Sequence, residues 1–397
     1  MIEKQYPALS GYKNKRVFIT GATGFIGGRL SEILAIDCSA RVKALVRDFS
    51  TAIRIGRLPI EIYQGDVKKI DDVRLAMKGT DFVFHCAFGN KGDVKDRFVA
   101  TTLGTENVLK AALEEGVQSF VFLSTQSVYG NQNTEWIDEE TPKKPKSDQY
   151  AQSKLQAERI VQSYAKSGLK TVIIQPTAVY GPWAPSYGTR IFDQMHKNII
   201  PLIDGGHGIC NAVYIDDLVQ AVLLAGINEK SYGQSFLIGG MEFCTWKEFW
   251  GYFESIIGEK RTQSISRKHA LSLFRKSKKR PSFLKLIKID SNVLYEIFRV
   301  RWISRIFILA RRAIPNRLLS RIKKSMLVSS LKEQGKEQDG TRTSYVAFDP
   351  SSIDFFASKT KIRIKKATEM LEYRPRFSLR AGFEITGQWY RWFYSSR

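Results

Sequence analysis

The chain of 397 residues is 43% hydrophobic and 25% charged, a globular composition that excludes a disordered or collagen-like protein. Sixty-two Lys and Arg against 39 Asp and Glu give a net charge of +23, and the excess is local: Lys260 to Lys324 holds twenty basic residues against Asp290 and Glu296, a net +18. The four cysteines (Cys38, Cys86, Cys210, Cys244) form no C-x-x-C pair and the four histidines lack metal-ligand spacing, so neither a disulfide scaffold nor a metal site is expected. There is no uncharged apolar run of about 18 residues, and Met1 to Ser10 lacks an apolar stretch, so a signal peptide and a spanning helix are not expected and the cytoplasm is.

From Lys15 to about Gln175, short β-branched or aromatic runs alternate with helical patterns, which predicts consecutive βαβ units and a parallel sheet. The strands are expected at Val17 to Thr20, Val42 to Val46, Ile60 to Gln64, Phe82 to Cys86, Phe120 to Ser124 and Thr171 to Gln175. They are almost continuously apolar, as strands covered by helices on both faces must be. Helices are expected at Gly27 to Ala35, Val73 to Met77, Ala100 to Glu115 and Gln149 to Ser167. The fold class is therefore α/β: a Rossmann-type doubly wound parallel sheet with a smaller C-terminal substrate lobe and a basic amphipathic helical insertion.

Residues 13–175 form the expected dinucleotide-binding domain, with 211–238 returning to it through a helix at Asp216 to Ala225 and a strand at Ser235 to Ile238. The Pro- and Gly-punctuated stretch 176–210, together with 239–259 and 350–397, is assigned to the substrate lobe. This lobe includes expected helices at Trp246 to Ile257, Ile364 to Leu371 and Arg380 to Tyr394. Residues 260–349 form the basic insertion, in which Val293 to Ala313 interleaves Phe298, Trp302 and Phe307 with five arginines, a basic amphipathic pattern.

Gly21-Ala22-Thr23-Gly24-Phe25-Ile26-Gly27 follows the first strand and opens a helix. Glycines in that setting let the backbone approach a pyrophosphate, whose charge meets the amides and positive end of the helix. A residue closing the second strand reads the adenosine ribose, a carboxylate suiting NAD and an arginine the 2′-phosphate of NADP. Arg47 occupies that place, with Asp48 one residue on, and NADP is favoured over NAD. Asp66, with Val67, follows the third strand and would face the adenine amino group or cap a turn. Tyr150 and Lys154 stand i, i+4 on one helix face, where an ammonium stabilises a phenolate and lowers a pKa near 10. Tyr-x-x-x-Lys alone is common, but here it accompanies the glycine turn and the hydroxyl-rich strand end Ser124-Thr125-Gln126-Ser127.

With these motifs the chain resembles an extended short-chain dehydrogenase/reductase over Lys15 to Gly258 and Phe355 to Trp392. The resemblance implies that Gly21, Thr23, Gly24, Phe25, Ile26 and Gly27 bind the cofactor and that Tyr150 is the general acid/base. It further implies that Lys154 holds the nicotinamide ribose while tuning Tyr150, and that Thr125 hydrogen-bonds the reacting oxygen. His85-Cys86-Ala87 matches the segment under the cofactor, Pro176 opens the loop after the sixth strand, and Leu371 to Pro375 resembles the closing L-G-Y-x-P. Pairing of two copies through the Tyr150 helix is also implied. Ser127, Tyr180 and His207 are candidates to touch substrate, with ordinary packing or a loop position as the alternative for each.

Two departures narrow the chemistry. Gln126 and Ser127 stand where 4,6-dehydratases carry a carboxylate pair, which argues against that elimination. Ala178 replaces the usual Asn of nucleotide-sugar enzymes, and no Arg lies near Cys210-Asn211, so a soluble nucleotide-sugar diphosphate would be poorly compensated. For Lys260 to Lys324 three readings compete: a membrane-surface element, a nucleic-acid patch, or a solvated elaboration of the lobe. Its apolar content favours the membrane, and no nucleic-acid-reading module accompanies it. The expected protein is thus a peripherally membrane-associated NAD(P)-dependent oxidoreductase acting on a secondary alcohol or ketone of a lipid or lipid-linked substrate. A sugar epimerase on a nucleotide or polyprenyl-linked sugar is the alternative, and a non-enzymatic dinucleotide-binding protein is a third reading.

Overall fold

The computed structural model describes residues 7–132, 134–145, 148–279 and 344–395. Its centre is a seven-stranded sheet built from β1 (Arg16–Thr20), β2 (Arg41–Val46), β3 (Glu61–Gln64), β4 (Phe82–His85), β5 (Ser119–Leu123), β6 (Thr171–Pro176) and, from later in the chain, β8 (Ser235–Ile238). The strand order is β8-β6-β5-β4-β1-β2-β3 and every pairing is parallel. Alternate residues of each strand enter different cores. Val17 and Ile19 pack on one face with Leu30 of α1 (Phe25–Glu32) and Leu218 to Ala225 of α5 (Ile215–Ile227). Phe18, Val83, Phe120 and Phe122 pack on the other with α2 (Ile70–Met77), α3 (Val94–Glu115) and α4 (Gln149–Lys166). Burial on both faces is why these strands read as apolar runs.

Local chemistry sets the helix ends. Asp93 and Asp96 form a reciprocal capping box at the start of α3, and Gly116, at φ 68°, closes it in the left-handed region. The Asp148 carboxylate accepts from the Tyr150 and Ala151 amides at 3.0 and 3.2 Å and so starts α4 one turn ahead of Lys154.

The second lobe has its own small sheet. Its strand β7 (Asn198–Ile203) is flanked in parallel by β9 (Thr262–Ile265) and β10 (Ser344–Tyr345). An aromatic core joins Tyr180, Phe192, α6 (Trp246–Ile257) and α9 (Leu379–Ser395), with Phe249 and Phe253 packed on Phe383. Thr262–Ile265 and α7 (Arg267–Lys279), placed by sequence in the insertion, take part in this lobe through Ile265 and Ala270, which bury against Ile203 and Ile353 of α8 (Pro350–Ala357). The basic amphipathic segment Val293 to Ala313 lies outside the described residues. Among those residues, no helix is long and apolar enough to cross a membrane.

Candidate active site

The ends of β1, β4 and β5 meet the start of α4 at one edge of the sheet. At the end of β1 the chain turns through Gly21, whose φ is 73° and where a Cβ would stand 2.7 Å from the Ala87 nitrogen. A Cβ on Gly27 would lie 2.3 Å from the Gly21 carbonyl oxygen. Only glycine allows so tight a crossing of the first turn of α1 over β1. The result is a backbone cradle at a helix N-terminus whose first turn carries no acidic side chain, with Thr23, Phe25 and Ile26 on its rim. This cradle fits the pyrophosphate of a dinucleotide. The Thr20 hydroxyl accepts from the Ala87 amide at 3.3 Å and bonds the His85 ring at 2.6 Å, tying β4 to the turn.

Arg47 is exposed at the end of β2 and donates to the Asn90 side chain at 2.9 Å. Its neighbour Asp48 is committed to capping the next turn by accepting from the Ser50 amide at 2.9 Å. Asp66 caps a turn, accepting from the Lys68 amide at 2.9 Å, so its carboxylate is engaged locally; the Val67 carbonyl accepts from Asn107 at 2.9 Å.

Tyr150, Thr125 and Lys154 come together. The Thr125 hydroxyl lies near that of Tyr150 and favours its phenolate, and the Tyr150 ring stands edge-on to Phe88 at 5.6 Å. Thr125 also caps the turn Gln126–Tyr129, accepting from the Ser127 amide and donating to the Ser127 hydroxyl, both at 3.2 Å. Lys154 is 2% exposed and donates to the Leu123 carbonyl at 2.6 Å, with its charge over the Phe122 ring at 4.7 Å.

Tyr150 is 41% exposed as a residue, yet atoms packed around its hydroxyl, with Asp148 nearby, push the phenol up to about 12 against a smaller opposing pull from the Thr125 hydroxyl. Burial also brings Lys154 down to about 8, against the opposing pull of Cys86 and Glu158, and one of its three N–H donors is taken by the Leu123 carbonyl. Cys86 is pushed up to about 12 by burial, and His85 is brought down to about 3 by burial and the Lys154 charge.

Tyr150 opens onto a cavity of about 640 Å³. Phe88, Val94 and Phe98 form an apolar wall, Arg97 and Asp148 add charge, and Asp349 to Ser352 close the far side. Its lining was missed by sequence: β4–α3 loop residues and the start of α8 carry no motif. Tyr180 takes the packing alternative; it is 1% exposed and stacks on Phe383 at 4.8 Å. His207 is exposed beside Gly205 and does not line this cavity. Pro176 ends β6, buried beside Ile238. Glu158, one turn beyond Lys154, is a buried neighbour that sequence reading passed over, although its i+4 spacing from Lys154 was the available signal.

A parallel seven-stranded sheet, a glycine cradle at the first β–α turn and a Tyr-x-x-x-Lys helix against a hydroxyl-bearing strand end define an extended short-chain dehydrogenase/reductase. Residues 17–239 match the model of the NAD dependent epimerase/dehydratase family, and the chain belongs to that family of NAD(P)-dependent enzymes. The 4-hydroxy-2-methyl-3-oxo-4-farnesyl-3,4-dihydroquinoline-1-oxide ketoreductase of Stigmatella aurantiaca is 28% identical over 53% of this chain and 64% of its own. The UDP-glucose 4-epimerase of Vibrio cholerae is 30% identical over 56% of this chain and 70% of its own. The UDP-glucuronic acid 4-epimerase of Bacillus cereus, solved with UDP-glucuronic acid and NAD, superposes with a TM-score of 0.65 at 18% identity over 96% of this chain and all of that one, a likeness of fold. The chain spans just under two thirds of the length of the first curated relatives it matches.

Proposed function

We propose that this protein exchanges a hydride between NADP and a secondary alcohol or ketone of an amphiphilic substrate, a lipid or lipid-linked molecule met at a membrane surface. The observation that carries this reading is the position of Tyr150, near Thr125 and at the mouth of a cavity that Phe88, Val94 and Phe98 help to wall. Tyr150 passes a proton to or from the substrate oxygen, and Thr125 orients that oxygen by a hydrogen bond. The dinucleotide, when bound, supplies the hydride through its nicotinamide.

The residues that would hold that dinucleotide are Gly21 to Gly27 around the pyrophosphate, Lys154 on the nicotinamide ribose, Asp66 and Val67 near the adenine, and Cys86, Ala87 and Pro176 beneath it. Arg47 would meet the 2′-phosphate, a role supported by the commitment of Asp48 to its own cap. Ser127, sharing a hydrogen bond with Thr125, would face the substrate. The net +18 of 260–324 supports the membrane surface, as does the chain returning from that segment into the cavity wall at Asp349.

Tyr150→Phe tests the chemistry. With a long-chain β-keto ester as probe, NADPH consumption should fall at least about 100-fold while NADPH affinity is retained. An undiminished rate overturns the reading. The likeness to the Vibrio cholerae epimerase favours one second reading, sugar epimerisation, in which hydride leaves and returns. It predicts conversion of a sugar substrate with no net change in nicotinamide absorbance.

A further inference from the structure

Helix α4 meets the end of β5 on successive turns of one face. Tyr150 stands near Thr125, Lys154 donates to the Leu123 carbonyl, and Glu158 accepts from the Ser124 hydroxyl. The i, i+4, i+8 spacing aligns the three side chains along the helix. Glu158 has no part in the chemistry above, yet it is 1% exposed and both its oxygens are engaged. Oε1 accepts from Ser124 and from the Gln175 side chain at 2.8 Å, and Oε2 accepts from Lys143 Nζ at 2.6 Å. Gln175 is held in turn by the Tyr129 hydroxyl at 2.8 Å. The network therefore joins the strand end before Thr125, the strand end before Pro176 and the loop that delivers Tyr150. Glu158 is buried while Lys143 is 19% exposed, and such a pair adds little to stability by itself, so its presence one turn below Lys154 calls for a role besides anchoring.

We propose that Glu158 is a positioning residue of this active site: it locks α4 to the end of β5 and, with Lys143, sets the charge one turn below Lys154. The groups facing Lys154 are Cys86 and His85 at the end of β4, Tyr150 and Glu158 on its own helix, and the rings of Phe88 and Phe122. Lys143 and Tyr129 face Glu158 from the loop and the turn before α4. Burial brings Lys154 down to about 8, so a neighbouring charge changes the pH at which its ammonium is lost. This inference rests on the reading of Lys154 as the residue that holds the nicotinamide ribose.

The test is NADPH binding to the purified chain, followed by fluorescence from about pH 6 to about pH 10. Affinity in the wild type should fall on an alkaline limb that Lys154→Met removes. Glu158→Gln, which keeps the hydrogen-bonding shape, should move the limb to lower pH by about half a unit or more, because the Lys143 charge is left uncompensated. Glu158→Gln with Lys143→Met removes both charges and should move it back toward the wild type. A purely structural role predicts no such return. Limbs that coincide in all three proteins, or a double variant displaced further than the single one, overturn the proposal. A wild type that binds neither NADPH nor NADH at any pH overturns the reading of the cofactor site itself, and this inference with it. Thermal melts of each variant separate a loss of fold from a shift of the limb.

Discussion

His85 illustrates how one side chain serves the fold at the edge of the site. Its ring spans the Thr20 hydroxyl at 2.6 Å and the Thr105 hydroxyl at 3.0 Å, linking β1 to α3 beneath the cofactor cradle. At 1% exposure it is held neutral, with its pKa brought down to about 3, against an ordinary value near 6.5. The folded value lies below the unfolded one, so the contribution is complete above about pH 6.5 and is lost as pH falls from there toward 3. Unfolding free energy should drop by up to about 1.4 kcal/mol per pH unit in that window on account of this residue. His85→Gln, which cannot take up the proton, should show a shallower acid slope in urea titrations at pH 7, 6 and 5. Parallel slopes in the two proteins would rule out this role. Residue identity alone suggested a strand-end histidine near the cofactor; its two hydroxyl partners, 65 and 20 positions away, were not readable from one sequence.

Among the elements, the β1–α1 turn was the most legible, because its requirements are local. Three glycines at fixed spacing between an apolar strand and a helix leave one arrangement in which backbone meets phosphate. Gly27→Ala puts a methyl 2.3 Å from the Gly21 carbonyl oxygen, so the turn must open; the cost should be about 1–3 kcal/mol. Dinucleotide affinity should fall at least about tenfold in isothermal titration. Gly251→Ala is the matched control in α6, where a Cβ would meet nothing within 4 Å, and it should stabilise by about 0.5–1 kcal/mol. Equal behaviour of the two variants would deny the cradle its role. The helix α4 was also legible as an element, since the apolar face at Ala157 and Val161 repeats at helical spacing. What its polar face touches was not.

For the whole molecule the open matter is how a charge of +23 is used. The flanks of the basic stretch, α7 and β10, both pack on the small lobe, and residues 349–352 line the cavity. A surface held there would deliver an amphiphilic substrate to Tyr150. Replacing residues 280–343 by a short Gly/Ser linker should abolish flotation with phosphatidylserine-containing vesicles while leaving NADPH affinity unchanged. Flotation that persists would place membrane contact elsewhere or nowhere. The sequence by itself determined the parallel α/β sheet, the glycine cradle and the Tyr150–Lys154 pair, because each depends on periodicity or on residues within one or two turns of each other. Only the tertiary structure decided that Lys154 grips the Leu123 carbonyl, that Tyr180 is core, that the buried Glu158 pairs with Lys143, and that Asp349 to Ser352 wall the cavity. Those outcomes turn on burial and on partners brought together from other strands, loops and the second lobe, and desolvation, which depends on everything packed around a group, is not encoded at any single position.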